Sequence, residues 1–452
     1  MWRKVKEFAD HQLTPARVIV IYYILTVTVS MILLSLPFAR RPEAPWSFID
    51  AMFTAVSAVS VTGLSTISVA ETFTPIGIFI LILVLQVGGI GIMSLGTFFW
   101  IIMKKKIGIK ERRLIMTDQN QFNLSGMVKM LRQIIIIFVL IELFGALILG
   151  TYFLTYFPTW QEAYYNGLFS SVSATTNAGF DITGNSLIPF RDDYFVQLVH
   201  MILITLGAIG FPVLLEVKNF FLRKRTGNTV SFSLNTKLTT LTYGILVLTG
   251  AVLFFLFEKN GFLQGKTWDE DIFYSLFQSI STRSGGLVTM DISQLQEETL
   301  FILSGLMFIG ASPSSVGGGI RTTTFALAML FIFNFARGKQ SIKVFKREIH
   351  EEDFVKAVLV VSFSVILCFV SVAILMATED FSLSAIFFEV TSAFGTCGMS
   401  TGITPDLSVF GKFIIMLLMF IGRVGIISFI FMIGGKERRD NYHYPKERII
   451  IG

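Results

Sequence analysis

Four times along its length this chain places a large apolar residue ten positions ahead of a glycine: Phe53 and Gly63, Phe169 and Gly179, Leu276 and Gly286, Phe388 and Gly398. Each glycine closes a short polar stretch, VSVTGL, TTNAGF, TRSGGL or GTCGMS, set between long apolar segments. The glycines recur about every 110 residues, so one structural unit used four times constrains the fold more than any local propensity does.

The surroundings of these stretches are those of a bilayer protein. Of 452 residues, 53% are hydrophobic and 15% charged, and 46 are Phe, a balance that soluble domains avoid. Apolar runs of about 20 residues or more, long enough to cross a hydrocarbon core of about 30 Å, occur near 16–37, 75–103, 131–157, 194–222, 237–257, 297–335, 354–377 and 408–434. Eight spanning segments are therefore expected. The first is longer than a signal-peptide core and ends in Leu36-Pro37 without a small-residue cleavage site, so it is expected to stay in the chain.

A formal charge of +6 does not imply nucleic acid once its distribution is read. Of the 37 Lys and Arg, 28 fall in five segments, 1–17, 104–132, 218–237, 336–356 and 436–452. These alternate with segments poor in basic residues, so the positive-inside rule puts both termini and three loops in the cytoplasm. The outward segments hold 18 of the 31 acidic residues, among them Glu162, Asp192, Asp193, Asp269, Glu270, Asp271, Glu379 and Asp380. Such a mouth would concentrate cations.

The short segments ahead of the glycines cannot span. A helix from Trp46 to Ser60 would rise only about 21 Å at about 1.5 Å per residue, so each is expected to enter from outside, stop near mid-membrane and return as non-helical chain. Thr159 with Glu162 and Thr267 with Glu270 fit a capping box at the helix start, Ser47 with Asp50 is a weaker relative, and Asp380 or Ser382 is the fourth candidate. Non-helical backbone is tolerated at membrane depth only when buried in protein or lining water. Four such stretches at similar depth therefore converge on one axis, giving an all-α membrane fold with a pseudo-fourfold pore.

The candidate ion-binding backbone comprises Val61, Thr62 and Gly63; Asn177, Ala178 and Gly179; Ser284, Gly285 and Gly286; and Thr396, Cys397 and Gly398. Glycine lets the chain turn sharply and aim carbonyls inward. Rings of carbonyls, with the negative ends of the half-helices behind them, replace the hydration shell of a monovalent cation. The competing reading is that the glycines only permit close helix packing.

The sixth run is too long for one helix, about 60 Å if straight, and it is interrupted by Gly310, Ala311, Ser312, Pro313, Ser314, Ser315, Val316, Gly317, Gly318 and Gly319. Proline and consecutive glycines resist helix, which makes this loop either a gate just cytoplasmic to the glycines or a static kink. Arg423, inside an apolar run and flanked by Gly422 and Gly425, must face the interior. There its guanidinium could bind carbonyls of the 310–319 loop, or serve as a structural anchor. Arg321 ends the loop, Arg283 adjoins the third glycine stretch where an acidic partner is expected, and Glu142 and Glu216 read as helix-packing or interfacial groups.

No site for enzymatic chemistry is visible. His11, His200, His350 and His443 are scattered, and Cys368 and Cys397 have no paired spacing, which leaves both as free thiols. No metalloprotease, nucleophile-elbow or Walker motif occurs. VGGIGIMSLG, with Met93 through Gly96, lies in an apolar run and reads as a close helix contact rather than a dinucleotide site. The sequon at Asn123-Leu124-Ser125 falls in an expected cytoplasmic loop.

The four glycine stretches, IGASPSSVGGGIRTTTF, and IGRVG in the last run together resemble the Trk/Ktr/HKT superfamily of potassium transporters across nearly the whole sequence. The early start of the first span is most similar to the membrane subunit of a bacterial Ktr system. The resemblance implies four M1-P-M2 repeats, at 1–105, 106–225, 226–340 and 341–452, in a multi-pass plasma-membrane protein. Gly63, Gly179, Gly286 and Gly398 would form a K+ filter, residues 310–319 the gating loop and Arg423 the pore arginine, with no cofactor on this chain. It further implies a homodimer resting on a cytoplasmic ring of separate nucleotide-binding regulatory subunits; the basic loops suit that docking and suit anionic lipid equally. Gly285-Gly286-Leu287 and Cys397 depart from the family's usual pattern, which leaves a sodium or weakly selective cation transporter as the alternative.

Overall fold

The computed structural model describes residues 15–91, 127–224, 231–339 and 341–434, with Pro445 and Glu447. The far part of the expected span 75–103, most of the basic segments 1–17, 104–132 and 436–452, Met93 through Gly96, the sequon, His11 and His443 lie outside them.

Among the described residues the fold is helical apart from one hairpin, β1 (Lys343–Val344) with β2 (Arg347–Glu348). The helices come in a recurring triplet of long, short and second helix. The long ones are α1 (Pro15–Leu34), α4 (Met127–Phe153), α8 (Leu234–Glu258) and α12 (Glu351–Thr378). The short ones are α2 (Phe48–Ser60), α5 (Trp160–Thr175), α9 (Trp268–Ser281) and α13 (Leu383–Phe394). The second helices begin with α3 (Pro75–Ile90), α6 (Tyr194–Ala208), α10 (Glu297–Phe308) and α14 (Val409–Val424), and three resume as α7 (Phe211–Lys224), α11 (Thr322–Ala336) and α15 (Ile426–Gly434).

Packing closes these triplets into a ring. Each long helix lies against the short helix of its own triplet, and each second helix against the short helix of the next: α3 on α5, α6 on α9, α10 on α13, and α14 back on α2. Where each long helix ends and its second helix begins, the two are stitched by a different bond in each unit. Thr74 Oγ1 donates to the Phe38 carbonyl (2.7 Å), Tyr156 to the Asp193 carboxylate (2.5 Å), Gln296 N–H to Glu258 (2.9 Å), and Ser408 N–H to Glu379 (2.9 Å).

The outer surface is apolar, with Phe144, Leu248 and Phe369 among its exposed side chains. Phe53, Phe169, Phe277 and Phe388 are buried at the same level of the four short helices, where truncation to alanine would cost about 3–5 kcal/mol each. The third member is thus Phe277, not the expected Leu276, which is half-buried.

Of the eight expected spans, the far part of the second lies outside the described residues and the sixth is broken, as expected, between α10 and α11. By length and composition, four described helices can cross a bilayer, or six when the bent pairs Tyr194–Ala208 with Phe211–Leu222 and Val409–Val424 with Ile426–Ile433 each count as one span; both pairs bend by 104°. The bends fall at Gly210 (φ +100°) and Gly425 (φ +87°), and α3 ends at Gly91 (φ +98°). Only glycine takes this backbone without strain. Three glycines upstream, Gly88, Gly207 and Gly422 sit directly on carbonyls at the ends of α2, α5 and α13, where any Cβ would overlap them. The recurring G-x-x-G therefore brings the second helix onto a short helix and then turns it away.

Candidate functional site

The four short helices start from capped N-termini. Ser47 and Asp50 form a complete capping box, stronger than expected; Thr159 accepts from Glu162 N–H, Glu270 accepts from Thr267 N–H (2.7 Å), and of the two fourth candidates Ser382 is the cap. At their C-terminal ends the chain leaves the helix in the same way each time. Val61, Asn177, Ser284 and Thr396, each two residues ahead of its glycine, have φ of 57°, 52°, 68° and 45°. Left-handed backbone is unfavourable for such residues, β-branched ones above all, so a shared demand holds all four.

That demand is the convergence of the glycines. Gly63, Gly179, Gly286 and Gly398 have φ of 96°, 67°, 71° and 97°. A Cβ on Gly63 would stand 3.0 Å from Gly179 Cα, one on Gly179 3.1 Å from Gly286 Cα, and one on Gly398 3.1 Å from Gly63 Cα; one on Gly286 would overlap the Cys397 carbonyl oxygen. The four glycines meet in cyclic order around one axis. Gly285, adjoining in sequence, instead faces Ile204 and Ser281 behind the ring.

Unit three reaches the ring by a shorter route. The carbonyls of Ser57, Ser173 and Ser392 accept from the N–H five residues on, of Thr62 (2.9 Å), Ala178 (2.8 Å) and Cys397 (2.8 Å). The Ser281 carbonyl accepts from Gly285 four residues on (2.7 Å) and from Gly286 itself (3.3 Å). One residue is missing between helix and glycine. That deletion is why glycine-based spacing selects Leu276 while the helix buries Phe277.

Beneath the ring lies the 310–319 loop. Its main chain bonds to unit two through Ser312 N–H to the Ala208 carbonyl (3.0 Å) and Phe211 N–H to the Ser314 carbonyl (2.8 Å). It bonds to unit four through Gly318 N–H to Thr396 Oγ1 (2.7 Å), and Gly317 rests on Ser284. Arg423 donates to the carbonyls of Val316 and Gly88, with Gly89 at 3.3 Å, joining units four, three and one. Arg321 donates to the Gly317 carbonyl, binding the loop to the start of α11. Arg283, fully buried, does not take the expected acidic partner: it donates to the carbonyls of Leu306 (2.5 Å) and Ile309 (2.7 Å), where α10 runs into the loop.

Several acids expected at the mouth are structural ties between helices. Asp193 caps α6, and although partial burial raises its carboxyl, the hydrogen bond from Tyr156 and the cap outweigh it and hold it below its ordinary value. Tyr156 is pushed up to about 12, chiefly by that bond. The Tyr194 hydroxyl lowers Asp269 in the same manner. Glu142 accepts from Gln86 (2.6 Å) between α4 and α3, and Glu216 from Ser233 N–H (3.0 Å), as packing groups do. Cys368 and Cys397 are buried free thiols.

Two features escape a reading of the sequence. G-x-x-G recurs at Gly88, Gly207 and Gly422, about 25 residues past each ring glycine, a signal that repeat alignment would reveal. Glu389 is fully buried and accepts from Ser400 (2.8 Å) and Thr404; its partners lie too far along the chain for local pattern to disclose them.

Capped short helices converging on a closed glycine ring, framed by apolar helices, form the interior of a multi-pass membrane transport protein. The chain belongs to the TrkH family of cation transport proteins, which it matches over residues 2–434. It is 60% identical over 440 residues to Ktr system potassium uptake protein D of Bacillus subtilis, covering 97% of this chain and 98% of that one. It is 33% identical to potassium/sodium uptake protein NtpJ of Enterococcus hirae, with 99% of each covered. The crystal structure of the potassium transporter TrkH from Vibrio parahaemolyticus has the same fold, with a TM-score of 0.68 at 17% identity over 91% of this chain and 84% of that one. The family consists of transporters, not enzymes, and the chain is accordingly a plasma-membrane protein.

Proposed function

We propose that this protein takes up K+ through a filter of main-chain carbonyls, driven by the membrane potential. The observation that carries the reading is the cyclic contact of Gly63, Gly179, Gly286 and Gly398, which leaves no room for a side chain at any of the four. Carbonyls borne by Val61 to Gly63, Asn177 to Gly179, Ser284 to Gly286 and Thr396 to Gly398 replace the water of a dehydrated cation, and the C-terminal ends of α2, α5, α9 and α13 add negative potential at the same place. The four triplets are M1-P-M2 repeats, with domains 1–105, 106–225, 226–340 and 341–452 and both termini cytoplasmic.

Flow is set below the filter. In the arrangement described, the 310–319 loop crosses under the glycines with Arg423 clamping it; a cationic guanidinium on the conduction path opposes a passing cation, and releasing the clamp lets the loop move aside. Three relatives carry the name of a Ktr system, among them protein B of Bacillus subtilis at 34% identity and protein B of Vibrio alginolyticus at 31%, which supports a component supplied in trans. We assign that role to a cytoplasmic nucleotide-binding ring beneath a homodimer of this chain.

A sodium or weakly selective cation transporter is the second reading, favoured by the Enterococcus relative, a potassium/sodium uptake protein by name, and by the shortened third stretch. Flux of K+ and Na+ into liposomes holding the parent or Gly63→Ser separates the two. At φ +96° and against the Ala178 carbonyl, serine must displace the ring, so the K+ over Na+ ratio is expected to fall about tenfold or more, a change of about 1.4 kcal/mol. An unchanged ratio would overturn the filter assignment, and a parent with no preference for K+ would establish the second reading.

A further inference from the structure

Glu389 lies on α13 three residues ahead of Ser392, whose hydroxyl accepts from the Gly398 N–H at 3.1 Å. The residues at the same place on the other short helices are Thr54, Ser170 and Gln278, so unit four alone has a carboxylate there. It is completely buried. Its two oxygens serve the chain that leaves the fourth glycine stretch: Ser400 donates to one at 2.8 Å and Thr404 to the other. The Thr404 and Ser400 hydroxyl oxygens lie 3.0 Å apart, and Ser400 accepts from Gly402 N–H at 2.9 Å, where φ is +98°. From the opposite side Gln278 of unit three reaches Met399 Sδ at 4.0 Å. Residues 399–404 are thus gripped between two neighbouring short helices immediately after Gly398.

A buried carboxylate is stable only with its lone pairs satisfied, and hydrogen bonds to a charged acceptor are the stronger kind. Here the donors come from the return chain, so the bonds that satisfy the acid also fix where the Gly398 carbonyl points. We propose that Glu389 is a positioning residue for the outer end of the fourth filter stretch, and that its two hydroxyl bonds set the preference for K+ over Na+. The inference rests on the filter reading above. A carbonyl ring favours the larger ion only while its oxygens cannot close on the smaller one, and this grip opposes such closure.

The test uses full-length protein in liposomes, measuring initial K+ and Na+ flux against ion concentration for Glu389→Gln, Thr404→Val and Thr404→Ser, with detergent thermal unfolding of each. Glu389→Gln keeps the shape but replaces one acceptor oxygen by a donor; Thr404→Val removes one donor and Thr404→Ser keeps it. The expected result is a KM for K+ raised about fivefold or more and a reduced K+ over Na+ ratio in the first two variants, with maximal rate within about twofold and Thr404→Ser like the parent. Equal loss in Thr404→Ser and Thr404→Val would overturn the hydroxyl's role, and reduced maximal rate with unchanged KM and ion ratio would mark Glu389 as merely structural. If Gly63→Ser alters the ion ratio while Glu389→Gln and Thr404→Val do not, this inference fails and the filter stands; if none of the three alters it, the filter reading itself has failed.

Discussion

Unit three and the other three units solve the same geometric problem differently. In units one, two and four a single glycine ends the second helix, at Gly91, Gly210 and Gly425; in unit three, α10 and α11 are separated by residues 309–321, a length of chain that folds under the ring. Unit three also arrives at the ring one residue short, and it alone places an arginine, Arg283, between its glycine stretch and the broken helix. A glycine kink is a fixed joint with one backbone solution. A loop held by Arg321, Arg423 and bonds to two other units is an assembly whose contacts can be made and broken together. On the proposed gating, this asymmetry separates scaffold from moving part.

The largest effects are expected where the units agree. Gly286→Ala must displace the Cys397 carbonyl and the neighbouring glycine, and K+ uptake into liposomes should fall by about tenfold or more, whereas Gly285→Ala, behind the ring, should lose about threefold or less. Equal losses would mean that unit three does not enter the ring through Gly286. Next comes the clamp: Arg423→Ala, or deletion within 312–318, should raise K+ flux by about tenfold or more, because each charge-assisted bond removed contributes about 1.5–3 kcal/mol to the closed arrangement. Should both variants conduct like the parent, the loop is a static kink and the comparison loses its meaning. A smaller effect is expected at a fixed joint. A Cβ at Gly425 meets nothing within 4 Å, so Gly425→Ala adds only backbone strain of about 1–3 kcal/mol. A lowered unfolding temperature with selectivity intact is the expected outcome, and altered ion preference would contradict it.

Some of this organisation was legible in the chain and some was hidden for physical reasons. The ring glycines stand out because their demand is local: positive φ and absent side chain select one residue type. The Arg423 contact to the loop was foreseeable because an arginine deep in an apolar run must find carbonyls or water. The kinks leave no trace in hydropathy, since Ile, Leu and Phe are equally apolar before and after Gly210 and Gly425, and hydropathy does not report direction. Spacing from the glycine gives the wrong register in unit three because the helix is anchored by its buried phenylalanine, Phe277. Glu379 reads as a mouth charge, but its hydroxyl partner lies 29 residues away, and those of Glu389 lie 11 and 15 away, distances at which sequence gives no sign of burial.

The smallest predicted effect concerns the outer stitches, which again differ between units. Unit three ties its helices through Glu258 to the Gln296 main chain, whereas unit two relies on Asp193, which caps α6 and accepts from Tyr156. Asp193→Ala should cost about 1 kcal/mol through the lost cap, read as a lower unfolding midpoint in detergent. The carboxyl of Asp193 is held below its ordinary 3.8, so its contribution is complete above that value and disappears as pH falls through the lowered one. Tyr156 is raised from 10.0 to about 12, so its share is complete below 10.0 and is lost only as pH climbs through about 12. The gap between parent and variant should accordingly be flat from about pH 5 to about pH 9 and narrow at about pH 3. A gap that persists undiminished in acid would show that the Asp193 carboxylate is not what joins these helices, unlike Glu258 in unit three.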